Sequence, residues 1–414
     1  MFYMDGDIDD AEEDIKELAS GLVETYLLET IQDMYRVSFR DDMICDVVKM
    51  IKCQLQNMYE HIDEDTISDI TIDIVNGMYG DVVPDRSTVC RLSCPKQSVD
   101  IIRPRIHWLL EQPQPEQRTA EWHKQRYDLL TASSAYKTLG TQGKINEIIC
   151  SKCAPFDNQS TAARLNTDNP CHWGIKYEPV STMYYEEINN AKVTEFGCIV
   201  HKDIPFLGAS PDGIIVDEAS PLYGRMLEIK NPFSRVINGI PKDEYWIQMQ
   251  TQLEVCDLDY CDFLETKFTE YESREAFDAD GDFFESVTGD RKGIIMFFMN
   301  SGVYHYEYAR LGILEEEFVT WEQSIMEKNS HMSWVTNIYW KLEYVSCIIV
   351  ARNTLWFNSI TPKLYQVWDT ILKERKDGSW KTRLPQTRKK KEFVSSTSTS
   401  ASPSAPSLII TLDI

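Results

Sequence analysis

An aspartate, a glutamate and a lysine lie close together in "GASPDGIIVDEASPLYGRMLEIKNPFSR", residues 208–235. Side chains alternate along a β-strand, so Glu228 and Lys230 share one face of the apolar stretch that contains them. A turn at the Ser-Pro-Asp-Gly sequence would present Asp212 beside that face. Two carboxylates and the carbonyl oxygen of Ile229 would give an oxygen-rich site of the kind that Mg²⁺ or Mn²⁺ prefers. The chemistry to expect there is metal-assisted hydrolysis of a phosphodiester.

The spacing alone leaves an alternative open, which is an exposed hairpin with an ordinary Glu–Lys ion pair. Acid-x-Lys triplets also begin at four other positions, namely Asp14, Glu265, Asp290 and Glu374. The strongest rival is the triplet at Glu265, because it also lies in a predicted strand. No Ser-Pro-Asp-Gly turn precedes that triplet, so the pattern favours Glu228 as the metal ligand.

The elements that must position these side chains alternate between strands and helices. Short strands joined by turns are predicted over 191–217, and further strands at 224–233 and 260–268, with a hairpin at 293–309. Helical periodicity is predicted at 241–257 and over most of 312–376. This order of elements indicates an α/β (α+β) domain with a central mixed sheet flanked by helices.

The regions on either side of this domain differ from it in composition. Residues 1–90 have helical periodicity, and residues 1–100 carry 23 Asp and Glu against 8 Lys and Arg. We therefore expect an acidic helical accessory module over 1–110, a proline-bearing connector at 111–118 and a catalytic domain over 118–376. Residues 377–414 are predicted to be a disordered tail, first basic and then rich in serine. Its Arg-Lys-Lys-Lys run at 388–391 is a candidate DNA tether or nuclear-localisation signal, and the apolar 408–414 a candidate docking strand.

Charge and cysteine content limit the classes of protein. The net charge of -24 argues against a broad basic DNA-binding surface, but a local basic channel remains compatible with it. No apolar run is long enough to span a membrane. The eleven cysteines, without a secretory signal, indicate reduced thiols in an intracellular compartment. Two cysteine groups are candidates for zinc or iron–sulfur sites, but their irregular spacing favours reduced thiols without a metal. They are Cys150-x-x-Cys153 with Cys171-His172, and Cys90-x3-Cys94.

Five sequence blocks occur in an order that resembles a known family. They are "WHKQRYDLLTASSA" (122–135), "WGIKYEPV" (173–180), "SPDG" (210–213), "LEIKNPF" (227–233) and "YWIQMQ" (245–250). Together they resemble the lambda-exonuclease or YqaJ-type viral recombinase nucleases, which are PD-(D/E)xK nucleases with a restriction-endonuclease-like core. The resemblance covers about 118 to 270, and long extensions like those of this chain are typical of a large DNA virus.

The resemblance implies roles for nine residues. Those implied for metal binding are Asp212, Glu228, the carbonyl of Ile229, and Glu178. Lys230 would orient or deprotonate the attacking water, and Gln248 would assist it. Those implied for phosphate or DNA binding are Arg126, Ser133 and Tyr245.

The resemblance also implies a function, which is metal-dependent exonuclease activity on linear duplex DNA in the 5′-to-3′ direction. Two Mg²⁺ or Mn²⁺ ions would serve as cofactors, and the role would lie in viral DNA recombination, repair or genome processing. Duplex DNA ends are the expected partner, with a single-strand annealing or recombination protein as a further candidate and oligomerisation left open. The host cytoplasm, a virus factory, the nucleus and the virion are all open as locations. Two alternatives are a PD-(D/E)xK endonuclease and a non-catalytic relative that binds DNA or a recombinase.

Overall fold

In the computed structural model of the protein, residues 5–55, 63–82, 86–89, 98–115, 117, 119–156 and 169–384 are described. Within these residues the chain forms twelve α-helices and ten β-strands. The helices are α1 Asp5–Thr30, α2 Phe39–Leu55, α3 Glu64–Val82, α4 Val99–Glu111, α5 Ala120–Tyr127, α6 Ala132–Leu139, α7 Gln142–Cys153, α8 Pro170–Asn189, α9 Asp243–Cys256, α10 Arg274–Ala279, α11 Glu315–Lys328 and α12 Thr354–Asp377. The strands are β1 Leu130–Thr131, β2 Val193–Thr194, β3 Ile199–Val200, β4 Leu207–Ala209, β5 Gly213–Ile215, β6 Met226–Lys230, β7 Tyr260–Glu270, β8 Arg291–Asn300, β9 Val303–Tyr308 and β10 Ser333–Ala351. The sequence features at 388–391 and 408–414, and the pair Cys90 and Cys94, lie outside the described residues.

The strands form two sheets. The larger has seven strands in the order β2-β5-β6-β7-β10-β8-β9, and the smaller has three in the order β1-β4-β3. In the larger sheet β6 and β7 run parallel, and the other neighbours run antiparallel. Helices α8 and α9 pack beside β6 and β7. The predicted architecture, a central mixed sheet flanked by helices with a helical N-terminal region, is confirmed.

Helix α9 owes its place to the parallel pair. Two parallel neighbours cannot be joined by a tight hairpin, so the chain must cross over between β6 and β7. Helix α9 makes this crossover and buries one face, including Trp246 and Leu253. The crossover therefore sets one face of α9 beside the strand that carries Glu228.

The prediction of mainly helical structure over 312–376 is wrong for its middle part. Residues 333–351 form β10, which pairs with β7 on one side and β8 on the other. Its sequence, "SWVTNIYWKLEYVSCIIVA", is rich in aromatic and β-branched residues, which fit a pleated surface better than a helix. The helical pattern holds on both sides of it, in α11 and α12.

The N-terminal helices share a hydrophobic core with the rest of the chain. One cluster of buried residues includes Ile15 of α1, Val47 of α2, Trp246 of α9 and Trp356 of α12. The indole Nε1 of Trp356 also donates a hydrogen bond to the Gln32 carbonyl at 3.1 Å. The boundary expected at 111–118 stays a prediction. Within the part of the chain that the structure describes, none of the helices combines the length and the apolar run that a membrane crossing needs.

Candidate active site

Asp212 and Glu228 meet where β5 and β6 pair. The two strands are antiparallel, with Gly213 opposite Leu227, so the residue before β5 lies beside β6. The Asp212 carboxylate accepts a hydrogen bond from the Ile229 backbone N–H at 2.7 Å. A Cβ added to Gly213 would lie 2.1 Å from the Val193 side chain, which explains why glycine follows Asp212. The turn therefore presents the aspartate to the strand, as the sequence predicted.

Glu228 is fully buried and is held on both carboxylate oxygens. Gln248 Nε2 donates to Oε1 and Gln252 Nε2 donates to Oε2, each at 2.7 Å. The Lys230 ammonium forms an ion pair with Oε1. Gln248 and Gln252 lie four residues apart, on the same face of α9. Gln252 was missed in the sequence, although its spacing from Gln248 is visible in "YWIQMQTQ".

Negative charge is concentrated at the buried centre of this site. Burial and, after it, the charges of Glu228 and Glu178 hold the pKa of Asp212 well above its ordinary value. Burial opposes the charged form of Lys230, but the carboxylates of Glu228 and Asp212 outweigh it and raise the pKa of the ammonium. Lys230 is therefore protonated at neutral pH in the arrangement seen here.

The donor set fits a hard divalent cation. Among the described residues, no group of three or more His, Cys, Asp or Glu side chains is already arranged to hold a metal ion. Instead, the Lys230 ammonium lies against the Glu228 carboxylate. The three acids interact strongly enough to disfavour ionisation of Asp212, and a cation would relieve that repulsion. Carboxylate and carbonyl oxygens are the ligands that Mg²⁺ prefers.

A second polar group surrounds Arg126 on α5. Thr119 caps the start of this helix, and its Oγ1 accepts a hydrogen bond from the Trp122 backbone N–H at 3.3 Å. The Arg126 guanidinium lies over the Trp122 ring, 4.4 Å from the centroid. It donates to Ser210 Oγ at 3.1 Å and to Ser133 Oγ at 3.2 Å. Burial lowers the pKa of this arginine, whose two hydrogen-bond partners are neutral hydroxyls.

All nine residues implied by the resemblance line one cleft of about 530 Å³. The Arg126 group joins the acidic centre through Gln252, whose Nε2 also donates to the Ser210 carbonyl at 3.3 Å. Ser210 was not singled out in the sequence, although it lies within the Ser-Pro-Asp-Gly block. The cleft therefore brings together an acidic centre, a lysine and a partly buried arginine that donates to two hydroxyls.

The rival triplets have other partners. Glu265 is buried and paired with Arg235, and Lys267 is paired with Glu343 at 3.3 Å. Lys292, from the triplet at Asp290, is buried and donates to the backbone carbonyls of three residues, which are Phe277, Asp280 and Asp282. These contacts account for both triplets without a metal.

The cysteines considered as candidate metal ligands lie on different elements of the fold. Cys150 and Cys153 are on α7, where their thiols face backbone carbonyls of Trp380 and Ile371 at 3.7 and 3.5 Å. Cys171 is exposed near the start of α8 and borders the cleft. His172 Nε2 contacts the Tyr306 hydroxyl at 2.7 Å.

Residues 121–259 match the family model of the YqaJ-like viral recombinase domain. This segment is therefore similar to that domain, and the resemblance drawn from the five sequence blocks is confirmed. The matched segment begins just before Arg126 and ends just after Gln252, so it includes all nine residues implied by the resemblance.

One curated protein and several solved structures are similar to the chain. Uncharacterized protein R354 of Acanthamoeba polyphaga mimivirus is 32% identical over 300 residues, which are 63% of this chain and 53% of that protein. The chain thus spans about half the length of this viral relative. The alkaline exonuclease LHK-Exo of Laribacter hongkongensis is 18% identical, with a TM-score of 0.36, over 64% of this chain and 98% of that chain. A phage-related exonuclease of Haemophilus somnus is 11% identical, with a TM-score of 0.32, over 59% and 96%.

Proposed function

We propose that this protein is a metal-dependent deoxyribonuclease that degrades linear duplex DNA from its ends in the 5′-to-3′ direction. The observation that carries the proposal is the single cleft in which Asp212, Glu228 and Lys230 lie beside the Arg126 group. The match to the YqaJ-like viral recombinase domain supports a nuclease, and the mimivirus relative supports a viral origin. The role would lie in viral DNA recombination, repair or genome processing.

The acidic centre would hold one or two Mg²⁺ or Mn²⁺ ions. Asp212, Glu228, the Ile229 carbonyl and Glu178 are the proposed ligands. When bound, the metal would acidify a water molecule, polarise the scissile phosphate and offset charge on the leaving oxygen. Gln248 and Gln252 would keep the Glu228 carboxylate in a fixed orientation, because each already donates to one of its oxygens.

Lys230 would act on the attacking water as a hydrogen-bond donor. Its ammonium lies against Glu228 at the centre of the cleft, and the neighbouring carboxylates raise its pKa. A protonated lysine has three donors and no acceptor. In this arrangement it would position the attacking water and stabilise negative charge.

The Arg126 group would bind the terminal 5′-phosphate. A guanidinium offers two parallel donors to a phosphate, and Ser133 and Ser210 add hydroxyls within reach of it. The Arg126 guanidinium is partly buried and contacts neutral hydroxyls, so an anionic ligand would give it charge-assisted hydrogen bonds. A site of this kind favours cleavage at an end over cleavage within the duplex.

The test compares linear duplex DNA, labelled at either the 5′ or the 3′ end, with closed circular DNA. We expect release of nucleotides from 5′ ends in Mg²⁺, no degradation in EDTA, and no activity of Asp212→Asn. Efficient nicking of closed circles would support an endonuclease instead. Binding without cleavage under every metal condition would favour a non-catalytic DNA-binding relative.

Removal of the 5′ strand would leave a 3′ single strand for a second protein. A single-strand annealing or recombination protein is therefore the partner we propose beside the DNA itself. Residues 118–376 would form the catalytic unit, with 1–110 as an accessory region for such contacts.

A further inference from the structure

A third cation lines the cleft at the end opposite Arg126. The face of α9 that lines the cleft carries Tyr245, Gln248 and Gln252. Gln252 contacts Ser210, which contacts Arg126, whereas the Tyr245 ring lies 5.8 Å from the Arg235 guanidinium. The acidic centre at Glu228 lies between these ends, held by Gln248. The cleft therefore presents a cation, an acidic centre and a second cationic end along one helix.

A buried carboxylate holds the Arg235 side chain in place. Glu265 on β7 is 1% exposed and forms an ion pair with Nη2 of Arg235. Glu265 lies directly beside Lys230 in the parallel register of β6 and β7. The sheet therefore fixes the distance between this anchor and the catalytic lysine.

The Arg235 guanidinium retains donors for a ligand. It has five N–H groups, and its contacts with Glu265 and with the Val236 carbonyl use one on each terminal nitrogen. The Tyr245 ring also lies 5.2 Å from Lys230 Nζ and 5.9 Å from Lys242 Nζ. Three positively charged side chains therefore lie around the Tyr245 ring, and two of them, Lys230 and Arg235, are each paired with a carboxylate.

The spacing suits a nucleic-acid strand. Gln252 follows Tyr245 by seven positions on α9. At 1.5 Å per residue, the two ends of the helix face that lines the cleft are therefore about 10 Å apart. Successive nucleotides of a strand rise by about 3.4 Å along the duplex axis, so this span corresponds to roughly two to three steps. If one end holds the terminal phosphate and the centre holds the scissile phosphate, the other end reaches the phosphate that follows.

We propose that Arg235, held in place by Glu265, binds the backbone phosphate that follows the scissile phosphate in the degraded strand. The inference rests on the proposed nuclease function and adds a substrate contact to it. Arg235 is the binding residue, and Glu265 is a positioning residue that acts through it.

The test measures DNA binding by the full chain in EDTA, where cleavage does not obscure affinity. Fluorescence anisotropy on a 5′-phosphorylated duplex is recorded from about 50 to 200 mM salt. The double variant Arg235→Met with Glu265→Gln removes both charges, so no unpaired charge is left buried. We expect affinity to fall about tenfold and the slope of log K against log salt to fall by about 0.9, the value for one phosphate contact.

A matched control uses another carboxylate of β7. Arg225 forms a buried ion pair with Asp262, and Arg225 does not line the cleft. The double variant Arg225→Met with Asp262→Asn should keep both the affinity and the salt slope. Glu265→Leu should lower the slope as loss of Arg235 does, whereas Glu265→Gln, which keeps an oxygen acceptor, should retain it.

A second arm locates the phosphate. A neutral methylphosphonate is placed at the first, second or third internucleotide linkage from the 5′ end. The wild-type protein should lose affinity when the second linkage is neutral, and the Arg235→Met/Glu265→Gln variant should lose no more from that change. An unchanged salt slope in this variant, or an equal additional loss in both proteins, would overturn the proposal. Absence of Mg²⁺-dependent cleavage in the wild type would instead refute the proposed function, and it is measured separately.

Discussion

The preference for a 5′-phosphate is the prediction most directly tied to the geometry. The substrates are two linear duplexes that differ only in a 5′-phosphate or a 5′-hydroxyl at the degraded end. In the structure the Arg126 guanidinium is partly buried, and its two terminal nitrogens donate to Ser210 and Ser133. A terminal phosphate would exchange neutral acceptors for charged oxygens, and each charged hydrogen bond contributes about 1.5–3 kcal/mol.

That free energy sets the expected size of the effect. Each 1.4 kcal/mol corresponds to a factor of ten, so the phosphorylated end should be favoured roughly tenfold to a hundredfold in kcat/KM. Arg126→Ala should remove the preference and leave slow cleavage of both ends, because Asp212 and Glu228 are unchanged. Arg126→Lys should restore part of it, since an ammonium supplies charge without the planar pair of donors.

A cation on the same helix serves as the control. Lys124 is exposed, pairs with Asp128 and does not line the cleft, so Lys124→Ala should keep the full preference. Initial rates on both substrates, measured at matched salt, provide the comparison. Equal wild-type rates on the two ends, or a preference that survives Arg126→Ala, would refute the assignment of this group to the 5′-phosphate.

Three further predictions concern the centre and the stability of the fold. Glu228→Gln should reduce Mg²⁺-dependent cleavage by at least about 10²–10³, whereas Glu343→Gln, outside the cleft, should not; single-turnover rates test this. Lys230→Arg should bind DNA normally but turn over poorly, because a guanidinium cannot replace a compact ammonium at Glu228; normal turnover would contradict the water-positioning role. Burial of Glu307 favours its neutral form, but hydrogen bonds from His305, Lys328 and Asn329 outweigh this and lower its pKa to about 2. Its stabilising contribution is present above about pH 4.5 and is lost towards pH 2, so acid unfolding of Glu307→Gln should show less loss of stability across that range than wild type.

The centre of the site could be predicted because its parts are close in sequence. Asp212 lies in the turn just before β5, and Glu228 lies on β6, the strand that pairs with β5. Local sequence patterns were therefore enough to predict that the two carboxylates lie close together. Arg126 and Ser133 are also local to one another. Ser210 and Gln252 could also have been found in the sequence. Ser210 lies two residues before Asp212, and Gln252 lies four residues after Gln248.

The remaining features depend on contacts between distant parts of the chain. Strand β10 receives its hydrogen bonds from β7 and β8, and its own periodicity did not separate it from the helices on either side. The Arg235–Glu265 ion pair depends on the parallel register of β6 and β7, which no local pattern reveals. Acid-x-Lys spacing therefore could not distinguish Glu228, the proposed metal ligand, from Glu265, which pairs with an arginine.

The hydrophobic core shared by α1 and α12 has a consequence for the synthesis of the protein on the ribosome. Trp356 and Gln32 are joined by a hydrogen bond although 324 positions separate them in the chain. Helices α1 to α3 pack on one another, whereas α12, which is translated only after the whole sheet, contacts the short 3-10 helix at 31–33 that follows α1. The apolar faces covered by that contact must therefore stay uncovered through most of synthesis, which at about 5–20 residues per second lasts on the order of 15 to 60 s. During that interval a chaperone or a ribosome-bound factor is a natural occupant of those faces, and nascent chains that stop short of α12 should be prone to aggregation.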